Sequence, residues 1–171
     1  MERLKQQLSV SLREEDTEAN RRRWGAYIIE NKIELLRIAD LIHAEKFIAM
    51  RFIWMVGGIC ETSPATVWPA IPYFFSERER VRIPNYHSSL ARMFQMVGIP
   101  EEMEGEAADA MLLWLQSREE NVTTKTRTLA ALHKLGVKYP ELNSEVRVIL
   151  ESLLGRHTTT FDRRIRKILE G

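Results

Sequence analysis

The sequence predicts an all-α protein of stacked helical hairpins, and three observations carry that prediction. Pro64, Pro100 and Pro140 fall 36 and 40 residues apart, each between one apolar helical stretch and the next. A period near 40 residues is typical of repeated helix pairs. Proline is tolerated at the first helical position, where its missing N–H would have no partner anyway. Glu101-Glu102 and Glu141 come directly after two of these prolines, placing acid where the positive end of a helix dipole favours it. Finally, apolar residues recur at helical spacing, and no alternation of Val, Ile and Thr is long enough for a strand.

The first twenty residues are highly charged, with Leu4, Leu8 and Leu12 as a thin stripe; they predict a short N-terminal helix, loosely attached, whose exposure suits self-association. Trp24, Tyr27, Ile28 and Leu35, then Ile38, Leu41 and Ile42, continue at helical spacing, with Asn31 as a break between two short helices. The segment 45–59 is apolar on every face, with Arg51 as its one internal charge, the mark of a helix surrounded by others. Gly57-Gly58 is expected to loosen its end, and Ser63 to cap the next helix. That helix holds Pro69 and Pro72, which predict a kink or a split. Residues 86–97 repeat the central pattern with Arg92 as the lone charge; 101–116, 122–135 and 142–154 are amphipathic. A last helix begins near Thr158 and carries Phe161, Ile165 and Ile168 on one side.

Length and composition set the class. A chain of 171 residues reads as a single domain able to bury roughly 70% of its unfolded surface. The net charge of +1 leaves any affinity for nucleic acid or membrane to local clusters. A single cysteine, Cys60, excludes an internal disulfide and reads as a buried apolar residue. Residues 1–12 contain no run like a signal peptide, and the longest nearly uncharged stretch, 52–60, is too short to span a bilayer. A cytoplasmic protein without membrane contact is expected.

The predicted hairpins span 32–59, 65–97, 101–135 and 142–169. Outer helix, short turn, then an inner helix with a lone basic residue (Arg51, Arg92, Arg127) resembles the HEAT-type α-solenoid over roughly residues 30–171. The resemblance implies a right-handed α-α superhelix of about four hairpins. It also implies a basic ladder in which the inner cation often bonds an acid at its hairpin turn. Glu45 and Asn121 stand six residues before Arg51 and Arg127 and fit; Tyr86 stands six before Arg92 and departs from the pattern.

No phosphate-binding glycine loop, GxSxG, HExxH or CxxC motif is present, and His43, His87, His133 and His157 are scattered, so neither a catalytic set, a metal site nor a cofactor is expected. Two cationic groups remain. Arg51, Arg92, Lys125 and Arg127, with Trp54, sit on inner helices and could line a ligand or partner groove; equally, each could neutralise a carboxylate or cap a carbonyl. Arg156, Arg163, Arg164, Arg166 and Lys167 make the last helix basic against Asp162 and Glu170. This is either a solvated capping face or a nucleic-acid contact. The function expected is a non-catalytic interaction module binding a protein partner through a concave face. The alternative is a nucleic-acid-binding protein, similar to the HEAT-like glycosylases that excise alkylated bases. Those place an acid among aromatics, whereas 46–60 holds Trp54 but no Asp or Glu.

Overall fold

The computed structural model describes residues 1–170, and these are helical with no strand among them. The chain divides into two compact units, Met1–Pro100 and Glu101–Gly171.

In the first unit, α1 (Glu2–Glu14) and α2 (Glu18–Glu30) form a hairpin capped at Thr17, whose hydroxyl accepts from Asn20 N at 3.1 Å. α1 is firmly docked, contrary to the loose attachment expected. Leu8 and Leu12 are 0% exposed. The buried Asn20 donates to Ser11 O and Glu15 O, both at 3.1 Å, and accepts from Ser11 Oγ at 3.0 Å. Two leucines alone would hold such a helix weakly; this polar latch, the Arg51 bonds to Leu12 O and Arg13 O and the Lys5–Asp40 bond add to them.

α2 ends at Asn31, as the sequence suggested, and Lys32 turns the chain with φ 51°. The next segment is not a helix of a pair but two 3₁₀ turns, Leu35–Arg37 and Ala39–His43. Leu35, Ile38, Leu41 and Ile42 are nevertheless buried as their spacing required. So short a segment has little helical stability of its own, and packing sets its geometry.

α3 (Lys46–Thr62) is the centre of the unit and packs against α1, α2, α4 (Pro64–Val67) and α6 (Tyr86–Met96). Glu45 caps it by accepting from Phe47 N. Gly57-Gly58 does not loosen it. A Cβ at Gly57 would lie 3.3 Å from Arg92 Nη1, whereas one at Gly58 would meet nothing within 4 Å: one glycine makes room for a guanidinium and the other faces open space. Cys60 is 1% exposed, and burial pushes its thiol up to about 12.

The prolines split the next segment as predicted, into α4, a 3₁₀ turn (Trp68–Ala70) and α5 (Ile71–Ser76). Ser63 makes no side-chain cap there; its hydroxyl bonds that of Thr66 at 2.8 Å. Tyr86 donates its hydroxyl to Phe74 O at 2.8 Å, and Gly98 adopts φ 116° against the Trp68 ring.

The second unit opens on a 3₁₀ turn (Glu101–Met103), so Pro100 does not start a helix directly. α7 (Glu104–Gln116) packs on α8 (Val122–Gly136) and α9 (Pro140–Leu153), and α9 on α10 (Thr159–Leu169). Asn121 caps α8, Pro140 is the first residue of α9, and Thr158 caps α10. Lys138 Nζ and Tyr139 OH both donate to Glu104 Oε2, at 2.6 and 2.7 Å, fastening the start of α7 to the α8–α9 turn. These bonds hold the Glu104 carboxyl below its ordinary pKa. Thr128 Oγ1, on α8, is buried without a hydrogen-bond partner. Because an orphaned buried hydroxyl costs about 1–3 kcal/mol, Thr128→Val is expected to stabilise the chain by about 1 kcal/mol or more, read from its denaturation midpoint; an unchanged or lowered midpoint would contradict the assignment.

Candidate functional site

The feature best formed to receive another molecule is a groove of the first unit between α2 and α3, closed at one end by Arg92 of α6. Its volume is about 660 Å³. α2 and α3 can approach closely because Gly25 faces Ile59; a Cβ at Gly25 would lie 3.3 Å from Ile59 Cγ1. The floor is formed by Ala26, Ile29, Met55, Gly58 and Ile59. Trp54 stands on the rim, 38% exposed, one helical turn before Gly58.

The three arginines around this floor are each tied to a carboxylate. Arg22 pairs with Glu18 at 2.6 Å, Arg21 with Asp16 at 2.7 Å, and Arg92 with Glu61. The Arg21 guanidinium also lies over the Trp54 ring, 5.4 Å from its centroid, and holds the indole at the rim. The result is an apolar trough bordered by fixed charges of both signs.

The structure therefore brings two of the sequence-selected residues, Trp54 and Arg92, into one site. Arg51 is used elsewhere: its Nη1 donates to Leu12 O at 2.6 Å and Arg13 O at 2.8 Å, and its Nε lies 3.3 Å from Asp16 Oδ1. These are carbonyls that the last turn of α1 leaves without an intrahelical partner. The ladder bond to Glu45 does not form, because Glu45 is engaged in capping α3 and lies near Arg13. Lys125 and Arg127 belong to the second unit. Lys125 is 0% exposed and its ammonium donates to Leu115 O at 2.5 Å and Ser117 O at 2.6 Å, at the end of α7; a partner at the surface does not reach it. Burial lowers its pKa, with Glu120 acting in the opposite sense. Arg127 is half-buried on α8. Arg156, Arg163, Arg164, Arg166 and Lys167 are all exposed.

Sequence reasoning missed Arg21, Glu18, Gly25 and Gly58 as lining residues. The usable signal was the presence of helical glycines, which mark a close helix crossing or an open face, but nothing local says which glycine does which. Among the described residues no group of three His, Cys, Asp or Glu side chains is placed to hold a metal ion, and no helix is long and apolar enough to cross a membrane. Compared with protein-family models, curated proteins and solved structures, the chain matches none.

Proposed function

We propose that this chain is a non-catalytic interaction module, cytoplasmic, whose first unit takes a short segment of a protein partner into the α2–α3 groove. The observation that supports this reading is an open apolar floor with an exposed tryptophan on its rim and arginines locked to carboxylates around it. A volume of about 660 Å³ accommodates one or two large side chains, within the roughly 300–1,000 Å³ of ordinary binding pockets. The occupant is an amphipathic segment anchored by an apolar side chain, as in helix-in-groove recognition. Acidic and basic residues flanking that anchor would meet Arg21, Arg22 and Arg92 on one hand and Glu18, Glu30 and Glu61 on the other. Carboxylates already paired with arginines suit orientation of a partner better than proton transfer. HEAT-like hairpins wound in a right-handed superhelix are the architecture we propose for presenting this surface.

Gly58 supplies the test. A side chain there projects into open space, and replacing a helical glycine is worth up to about 1 kcal/mol of helix stability. Peptides selected from a displayed random library against the full chain are expected to lose binding at least ~10-fold, or about 1.4 kcal/mol, to both Gly58→Leu and Trp54→Ala, while Gly58→Leu melts no lower than the parent. Selected peptides that bind Gly58→Leu as tightly as the parent, or a selection that enriches none, would overturn the reading.

A further inference from the structure

α10 carries a second surface, independent of the groove. Thr158 starts it by accepting from Phe161 N at 3.3 Å. Phe161 and Ile165, 1% and 0% exposed, are spent on packing against the rest of the unit. Arg163, Arg164, Arg166 and Lys167 face solvent, and Arg156 is exposed just before the helix. No carboxylate among the described residues is paired with any of the five. The acid within the helix, Asp162, is turned toward the preceding loop, where it accepts from Gly155 N at 3.3 Å. The C-terminal carbonyls of the helix have a partner from another quarter, since Arg147 Nη2 donates to Leu169 O at 2.8 Å.

A dipole-capping role would account for Arg166 and Lys167, which lie in the last turn. It does not account for Arg163 and Arg164, which lie nearer the start. A face kept charged for solubility alone would carry both signs in like number; here four exposed cations stand against one exposed acid, Glu170. These four cations fall between positions 163 and 167, roughly 6 Å along the helix axis. A nucleic-acid duplex presents one negative charge per about 1.7 Å of axis, or roughly three to four over that length. The charge densities match.

We propose that the exposed face of α10 binds the phosphate backbone of a nucleic-acid duplex without reading its sequence. Arginine is suited to this because its planar guanidinium meets phosphate oxygens with two parallel hydrogen bonds. A lipid surface fits less well: interfacial helices bury a broad apolar face in the membrane, and here Phe161 and Ile165 are already buried in the protein, leaving Ile168 as the exposed large apolar residue of the helix. A single strand fits less well because such sites add aromatic platforms for the bases, and the aromatic residue of this helix, Phe161, is inside.

The test is fluorescence anisotropy of the full chain with a labelled random-sequence duplex at rising salt. Four phosphate contacts predict that log K falls with log salt with a slope of about −3 to −4. Replacing Arg163, Arg164, Arg166 and Lys167 by glutamine is expected to weaken binding about 100-fold or more near ~50 mM salt and to flatten the slope. Arg163→Gln with Arg164→Gln, which leaves the last turn intact, should reduce the slope by about 2, so the result does not depend on the fourfold variant folding. Arginine-to-lysine exchanges at the same positions should keep most of the slope, and Gly58→Leu should bind the duplex as the parent does. No binding at low salt would overturn the proposal. So would an unchanged slope in the glutamine variants, or capture by vesicles containing phosphatidylserine without binding to duplex.

Discussion

Lys125→Ala is expected to destabilise the second unit by about 3–5 kcal/mol, which is cavity formation plus the loss of partners for buried carbonyls. Both parts come from the geometry. The four-carbon stem of Lys125 is fully buried, and its ammonium closes the end of α7 on Leu115 O and Ser117 O. Lys125→Met separates the two parts: it keeps the stem and removes the donor, and should recover at least half of the loss. Denaturant midpoints, with hydrogen exchange of the α7 amides as the local readout, check this. A midpoint for Lys125→Ala within about 1 kcal/mol of the parent would show that the carbonyls find other partners.

The same residue sets a pH dependence of definite sign. Burial holds the Lys125 ammonium below its ordinary value of 10.5. Between its folded and unfolded values the folded chain binds fewer protons than the unfolded one, so the Lys125 contribution to stability rises with pH across that window and levels off above the unfolded value. As pH rises toward 10.5, the parent should gain stability relative to Lys125→Met. Parallel profiles for the two proteins would count against a lowered Lys125 pKa in the folded state.

Arg51→Ala is expected to cost about 2–4 kcal/mol, since two charge-assisted hydrogen bonds are lost and two helix-end carbonyls are left without partners. Here the readout is positional. Arg51 joins α3 to the end of α1 and to Asp16, so its loss should expose the α1–α2 turn to proteolysis before the rest of the unit opens. Arg51→Lys, which keeps a charge but loses the fork, should recover part of the loss. Cleavage spread evenly along the first unit would argue that Arg51 acts by bulk packing instead.

The two cations share a physical role that the sequence offered only as one of two readings. Each sits in the early turns of a helix and closes the C-terminal end of another, α1 for Arg51 and α7 for Lys125. The sequence could mark them because a charge on an otherwise apolar helix face must have a partner. It could not name the partner, because Arg51 reaches back 39 residues to Leu12 and Lys125 reaches 10 to Leu115. The HEAT-like ladder proposed a nearer partner for Arg51, Glu45, and that residue is occupied with its own helix end.

What the sequence determined by itself was the all-helical class, most helix boundaries after residue 86, the split at Pro69 and Pro72, and most of the buried positions, although Tyr27, Trp54, Trp68 and Ile168, which stand at core spacing, are exposed. These depend on interactions within a few residues: side-chain periodicity, proline's missing donor and capping hydroxyls or amides at Thr158 and Asn121. Tertiary structure alone decided that 35–43 turns as 3₁₀, that α1 is docked through Asn20, and that Gly57 and Gly58 leave α3 unbroken. It also decided that Trp54 shares a groove with Arg21 and Arg92 while Lys125 is sealed inside. Each of these outcomes is fixed by which surfaces meet, and a helix pattern specifies that a face must be covered without specifying by what.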